Sequence, residues 1–157
     1  MSAEVPEVPA AAAHLALLGR GERVGCAESL TGGELAAWLS STAGASATFT
    51  GGVVSYATEV KRDLLGVTAV DVVSAECAEQ MAAGARGLLG VDWALSTTGV
   101  AGPDEQEGQA VGTVYVGLAG PRGVRSVRLS LEGDRSRIRR ATCAAAVELL
   151  LEEVAHG

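Results

Sequence analysis

Short runs of small and β-branched residues alternate along the chain with helical segments bounded by glycine or a polar capping residue. Five runs predict strands, at residues 22–28, 48–57, 92–99, 109–120 and 123–131. Five segments predict helices, at residues 11–21, 29–42, 58–66, 72–90 and 136–157. The early strands are separated by helices, whereas only Gly-Pro-Arg-Gly separates the last two, as in a hairpin. The sequence therefore predicts an α/β fold, a three-layer α/β/α sandwich with a mixed, about five-stranded sheet.

Local residues predict where several of these elements begin. Thr58, Ser74 and Asp134 each stand directly before a helical pattern and are candidate N-caps. The glycine pair at 51–52 interrupts a β-branched run and predicts a bulge. The chain of 157 residues has the size of one domain, so we expect a single unit over 1–157, with a loose N-terminal stretch at 1–9.

Charge and composition exclude several classes of function. The net charge of -7 disfavours binding to a nucleic-acid backbone. No apolar run is long enough to cross a bilayer, and the acidic N-terminus does not resemble a secretory signal. Three widely spaced cysteines, Cys26, Cys77 and Cys143, are typical of reduced thiols in the core. We therefore expect a cytoplasmic protein with no nucleic-acid or membrane partner.

The chain has two histidines, His14 in an Ala/Leu helix and His156 next to the C-terminus. Neither position suits a Ser-His-Asp or Cys-His site, and the cysteines lack the paired spacing of a zinc site. We expect both histidines to be structural or exposed, and no metal site. A hydrolase with this sequence needs a base other than histidine.

Lys61 is the only lysine in the chain, and the other eleven Lys or Arg residues are all arginine. Lysine can lose its proton when its surroundings disfavour charge, whereas arginine stays charged in proteins. Position 61 falls in the first turn of a predicted helix, where the helix dipole disfavours a cation. A neutral amine there could serve as a general base. The alternative is that one surface lysine was retained by chance.

Several hydroxyl groups could be the partner of this amine. Ser55 and Tyr56 are close to Lys61 in sequence, Ser46 lies in the preceding loop, and Ser29 lies in a glycine loop after the first strand. A Ser-Lys or Ser-Tyr-Lys arrangement activates a hydroxyl without histidine. The spacing leaves the choice of nucleophile open.

Two glycine loops could bind an anion. Ser29, Thr31, Gly32 and Gly33 form a strand-to-helix junction, and Thr98 with Gly99 begins the second loop. Arg135 and Arg139, four residues apart on one helix face, could add guanidinium groups for a phosphate. The alternatives are a capped helix start, a plain turn and two surface arginines.

Six blocks of sequence, in the same order, resemble the CinA C-terminal domain family, the nicotinamide-nucleotide amidases, also called PncC or NMN deamidases. These are AESLTGG, ASATFTGGVVSYATEVK, VVSAECAEQMAAGAR, STTGVAGPD, VGTVYVG and GDRSRIR. The likeness runs from about residue 10 to the end of the chain and indicates the stand-alone form. Many members have cysteine at the position of Leu30 and proline at that of Ala110.

This resemblance implies an activity. A family member would hydrolyse the carboxamide of nicotinamide mononucleotide (NMN) to nicotinate mononucleotide and ammonia, in pyridine-nucleotide salvage. It would be a metal-independent serine amidase that needs no cofactor and often forms a homo-oligomer.

The resemblance also implies roles for particular residues. Ser46 becomes the nucleophile, Lys61 its base and Tyr56 a relay or orienting hydroxyl. The small-molecule nucleotide would be held by the residues of the two loops and the two arginines: Ser29, Thr31, Gly32, Gly33, Thr98, Gly99, Arg135 and Arg139. The competing interpretation is a nucleotide-binding or regulatory module without turnover, linked to competence or the DNA-damage response.

Overall fold

The computed structural model describes residues 7–156 and contains one five-stranded sheet with helices on both faces. The strands are β1 (Val24–Glu28), β2 (Phe49–Val54), β3 (Trp93–Gly99), β4 (Thr113–Gly120) and β5 (Gly123–Ser130). The helices are α1 (Glu7–Arg20), α2 (Glu34–Leu39), α3 (Thr58–Leu65), α4 (Ala75–Leu89) and α5 (Arg135–Ala155), with a short 3₁₀ turn at Ala45–Ala47. The strand order is β2-β1-β3-β4-β5.

The sheet is mixed, as the sequence predicts. β1 pairs in parallel with both β2 and β3, whereas β4 is antiparallel to β3 and to β5. Consecutive residues of the central strands face opposite layers: Cys26 and Leu95 pack towards α1, α2 and α5, while Ala27 and Ala94 pack towards α4. The predicted three-layer α/β/α architecture is thereby confirmed.

The ends of several elements can be compared with their sequence signals. Ser74 and Asp134 are N-caps whose side chains accept backbone N–H bonds, as predicted. The capping role of Thr58 was predicted wrongly, because Ala57 is the N-cap and Thr58 is the first helical residue. The predicted bulge is present, since the β1–β2 register skips one residue at Thr50.

The N-terminal prediction is partly corrected. Residues 7–9 belong to α1 rather than to a loose stretch, and Pro9 is tolerated there because the first turn leaves its N–H groups without partners. The rest of that stretch lies outside the described residues. Within residues 7–156 no helix is both long and apolar enough to cross a membrane, and the three cysteines are buried and free.

The topology brings three strand ends together. The carboxyl ends of the parallel strands β1, β2 and β3 lie at one edge of the sheet. The chain leaves β1 towards the α2 layer and leaves β2 towards the α3–α4 layer. A crevice opens where neighbouring strands send their connections to opposite faces, and this is where such sheets bind ligands.

The closeness of α3 and α4 gives a stability prediction. A methyl group added at Gly84 would strike the carbonyl oxygen of Leu65 at the end of α3, whereas one added at Gly87 would meet nothing within 4 Å. We expect Gly84→Ala to lower the free energy of unfolding by about 2 kcal/mol or more. The matched control, Gly87→Ala, should raise it by about 0.5–1 kcal/mol, because alanine favours the helix. Urea denaturation of both variants checks this, and equal stabilities would contradict the close packing of the two helices.

Candidate active site

A cavity of about 400 Å³ lies at the carboxyl ends of the parallel strands. Six of the residues predicted for the site line it: Ser29, Tyr56, Lys61, Thr98, Gly99 and Arg135. Their positions follow from the topology, since Ser29 comes directly after β1, Tyr56 and Lys61 follow β2, and Thr98 and Gly99 end β3. Residues distant in sequence therefore meet in one crevice.

Lys61 is buried in this cavity, with only 2% of its surface exposed. It lies in the first turns of α3, and its Nζ donates a hydrogen bond of 3.0 Å to the backbone carbonyl of Tyr56. Burial lowers the pKa of Lys61 below its ordinary value of 10.5, against the opposing influence of Cys77 and Glu107. Lysine suits this buried position, because an arginine here would remain charged.

Ser29 is half-buried and is fixed by its backbone. Its N–H donates to the carbonyl of Thr97 on β3, at 3.0 Å. Among residues 7–156, the Ser29 hydroxyl has no hydrogen-bond partner, and the backbone N–H groups of Leu30 and Thr31 have no acceptor. The loop therefore offers one free hydroxyl and two free donors beside a buried amine.

Glu28 holds this loop in place and was not singled out from the sequence. Its carboxylate is fully buried and accepts the N–H groups of Leu35 and Ala36 at 2.8 and 2.9 Å, at the start of α2. Its carbonyl accepts from both the N–H and the hydroxyl of Ser55. One residue thus joins the loop of Ser29 to the connection that carries Lys61. The sequence did contain a signal for this role, because Glu28 is an acidic residue at the end of an otherwise apolar strand.

The backbone carbonyl and the side-chain hydroxyl of Tyr56 have different hydrogen-bond partners. Its carbonyl accepts from Lys61, while its hydroxyl, on a side chain exposed by 56%, accepts a bond of 2.8 Å from Arg135. Arg135 also donates to the carbonyl of Gly102 at 2.6 Å. The Tyr56 hydroxyl, expected as a relay or orienting group, pairs in this structure with the Arg135 guanidinium at the mouth of the cavity and not with the Lys61 amine.

The remaining predicted ligands lie beside the cavity rather than in its wall. Thr31 is fully buried, shares a hydrogen bond of 2.8 Å with Thr97, and its carbonyl accepts from Arg139. Gly32 and Gly33 have the positive φ angles that the turn requires. These four residues, Thr31, Gly32, Gly33 and Arg139, were expected to hold substrate, and the structure places them in and around the loop rather than in the cavity lining. Thr98 lines the cavity, but its hydroxyl donates to the carbonyl of Val72.

Ser46 lies at the other end of the sheet from this cavity. It is exposed in the 3₁₀ turn that precedes β2, and its carbonyl accepts a hydrogen bond from Arg23. Lys61 follows the far end of β2, so six strand residues, roughly 20 Å of chain, separate the two positions. The expected pairing of Ser46 with Lys61 is therefore corrected, and Ser29 is the serine that shares the cavity with Lys61.

No group of three or more metal-ligating side chains occurs in the part of the chain that the structure describes. His14 is buried and hydrogen-bonds to Thr48 at 2.7 Å, whereas His156 is exposed at the end of α5. The histidines are thus structural or exposed, as expected. The cavity itself is lined by the Lys61 and Ser29 side chains, an amine and a hydroxyl.

Comparison with known proteins agrees with this architecture. The model of the CinA C-terminal domain matches residues 7–154. A CinA-like protein of Frankia casuarinae is 49% identical over 139 residues, which cover 85% of this chain and 32% of that protein. A CinA-like protein of Acaryochloris marina is 44% identical over 143 residues, 86% of this chain and 34% of that protein. The chain therefore spans about a third of the length of these relatives.

Solved structures show the same fold over nearly all of the chain. A Competence-Damaged Protein (CinA) superfamily protein from Klebsiella pneumoniae superposes with a TM-score of 0.94 at 33% identity, covering 98% of this chain and 100% of that one. A competence/damage inducible protein from Agrobacterium tumefaciens gives a TM-score of 0.91 at 33% identity, covering 97% of each chain. The chain belongs to the CinA C-terminal domain family.

Proposed function

We propose that the protein is an amidohydrolase that deamidates nicotinamide mononucleotide to nicotinate mononucleotide and ammonia, with Ser29 as nucleophile and Lys61 as its base. The observation that carries this proposal is the burial of the only lysine in a cavity that also contains Ser29. Burial favours the neutral amine, and a neutral amine can accept the proton of a serine hydroxyl. The choice of nucleotide depends on the family resemblance.

The groups of the cavity suggest how each step proceeds. The Ser29 oxygen attacks the carboxamide carbon while Lys61 takes the hydroxyl proton, and the free N–H groups of Leu30 and Thr31 are suited to stabilise the resulting oxyanion. Lys61 then returns this proton to the departing nitrogen, which leaves as ammonia. Water hydrolyses the acyl ester on Ser29, with Lys61 again as base.

The mouth of the cavity suits the phosphate of the substrate. Arg135 directs an exposed guanidinium to this point, and its bonds to Tyr56 and Gly102 fix its orientation. Guanidinium groups bind phosphate oxygens through paired N–H donors. We therefore expect the nucleotide to lie with its amide towards Lys61 and its phosphate towards Arg135.

An assay of ammonia and nicotinate mononucleotide tests the proposal. We expect the purified protein to turn over nicotinamide mononucleotide faster than nicotinamide riboside, which lacks the phosphate. The rate should fall as the pH is lowered through the depressed pKa of Lys61, because protonation removes the base. Binding of the mononucleotide without ammonia release would instead support a non-catalytic nucleotide-binding or regulatory module. The homo-oligomer and the cytoplasmic location stay predictions.

A further inference from the structure

One wall of the cavity is a long loop between β3 and β4, at residues 100–112. Its first part, residues 100–106, lines the cavity. The loop continues through Glu107, which among residues 7–156 is the one non-glycine residue with a positive φ, 54°. A left-handed conformation is unfavourable for a residue with a side chain, because its Cβ comes too close to the following carbonyl oxygen. Such a conformation persists where other contacts of the residue hold it.

Backbone N–H groups just before α4 hold the Glu107 side chain in place. Its Oε2 accepts the N–H of Val72 at 3.0 Å, and its Oε1 accepts the N–H of Val73 at 2.9 Å. Gln109 adds a third bond, from its Nε2 to the carbonyl of Val73 at 2.6 Å. Hydrogen bonds to a carboxylate are stronger than neutral ones, so this attachment can offset the backbone cost.

This attachment joins two walls of the cavity. Val72 and Val73 line the cavity just before α4, and the carbonyl of Val72 also accepts the Thr98 hydroxyl. The loop therefore has a fixed position relative to the C-terminal end of β3 and the start of α4. Without the carboxylate, the N–H groups of Val72 and Val73 would lose their protein acceptor, and the loop would lose its charged anchor.

The carboxylate of Glu107 also influences the pKa of the buried Lys61 amine. The titratable groups that act on Lys61 are Cys77 of α4 and Glu107 of the loop, and both oppose the effect of burial. At the mouth, the Tyr56 hydroxyl is occupied by Arg135. Glu107 is thus the carboxylate that can set how readily Lys61 gains or loses its proton.

We propose that Glu107 is a positioning residue that fixes the loop wall of the cavity through its bidentate bond to the N–H groups of Val72 and Val73. Its effect on turnover rests on the proposed function, whereas its effects on the loop and on Lys61 do not. Two substitutions separate these effects. Glu107→Gln keeps the length of the side chain and removes its charge, while Glu107→Asp keeps the charge and is too short to reach both N–H groups.

Because Lys61 is the only lysine, labelling the protein with ¹³C-lysine gives one side-chain signal whose pH titration reports this amine directly. In Glu107→Gln we expect the titration midpoint of Lys61 to move to lower pH, because a charge that favoured the protonated amine is gone. The control Asp63→Asn removes an exposed carboxylate from α3 and should leave the midpoint unchanged. An unchanged midpoint in Glu107→Gln would overturn the electrostatic role.

Amide hydrogen exchange tests the loop attachment independently. In Glu107→Asp, the amides of Val72 and Val73 should exchange faster than in the unsubstituted protein and in Asp63→Asn. With nicotinamide mononucleotide as substrate, the KM of this variant should rise more than its kcat falls. Unchanged exchange at both valines would overturn the positioning role. The titration of Lys61 and the amide exchange of Val72 and Val73 can both be measured without turnover. A failure of the proposed amidase activity would therefore leave both results interpretable.

Discussion

Replacement of Lys61 by arginine is expected to reduce ammonia release from nicotinamide mononucleotide by about 10²–10⁴-fold, the usual contribution of a positioned general base. The variant keeps a positive charge, so the loss would come from the inability of the guanidinium to release its proton. Lys61 is 2% exposed, and its amine bonds to the carbonyl of Tyr56. The larger, permanently charged group must also fit this buried place.

The matched control for this experiment is Arg62→Lys, on the exposed side of the same helix. It exchanges the same two residue types in the opposite direction and should leave turnover unchanged. Circular dichroism and urea denaturation separate loss of the base from loss of the fold. Full activity of folded Lys61→Arg would remove Lys61 from the mechanism.

Ser29→Ala is expected to have the largest effect, a loss of roughly 10⁴–10⁶ in kcat, as for removal of a serine nucleophile elsewhere. Its side chain lines the same cavity as Lys61, and its hydroxyl has no partner in the described residues that alanine would disturb. Fold and stability should therefore change little. Ammonia release under saturating substrate measures the loss.

Ser46→Ala is the matched control, because it removes the other candidate hydroxyl from an exposed turn at the far end of β2. We expect it to retain turnover. Rapid quenching followed by peptide mass analysis should find the acyl group on the peptide that contains Ser29. An acyl group on the Ser46 peptide, or an inactive Ser46→Ala with an active Ser29→Ala, would reverse the assignment.

Much of the fold was predictable because its signals are local. The strands alternate with helices at the spacing of an α/β sandwich, Ser74 and Asp134 cap helices as their residue types indicate, and the Gly-Pro-Arg-Gly hairpin links β4 to β5. The cap of α3 was misplaced by one residue because Ala57 has no capping side chain, and Thr58 beside it does. Helix boundaries depend on such small local preferences.

The lone lysine was the most informative feature of the site, since it could be identified from residue types alone. Ser46 was expected to pair with Lys61, although the sequence contained the signal that Ser29 shares the cavity with this lysine. Ser29 follows a parallel strand while Ser46 precedes one, and the carboxyl ends of the parallel strands share the edge of the sheet where Lys61 lies. The contact of Glu107 with Val72 and Val73 could not be predicted, because these residues are 35 and 34 positions earlier in the chain.

The hydrogen bonds that Arg135 makes to Tyr56 and Gly102 affect the entropy cost of binding a ligand at the mouth of the cavity. Holding a flexible arginine in one rotamer costs entropy, roughly 1.5–2 kcal/mol for a side chain of this length. Here the bonds to Tyr56 and Gly102 restrict the side chain before any ligand arrives. An arriving anion would meet donors that are already oriented, so the entrance is preorganised for affinity. A shorter or unanchored cation would have to be immobilised anew at each encounter.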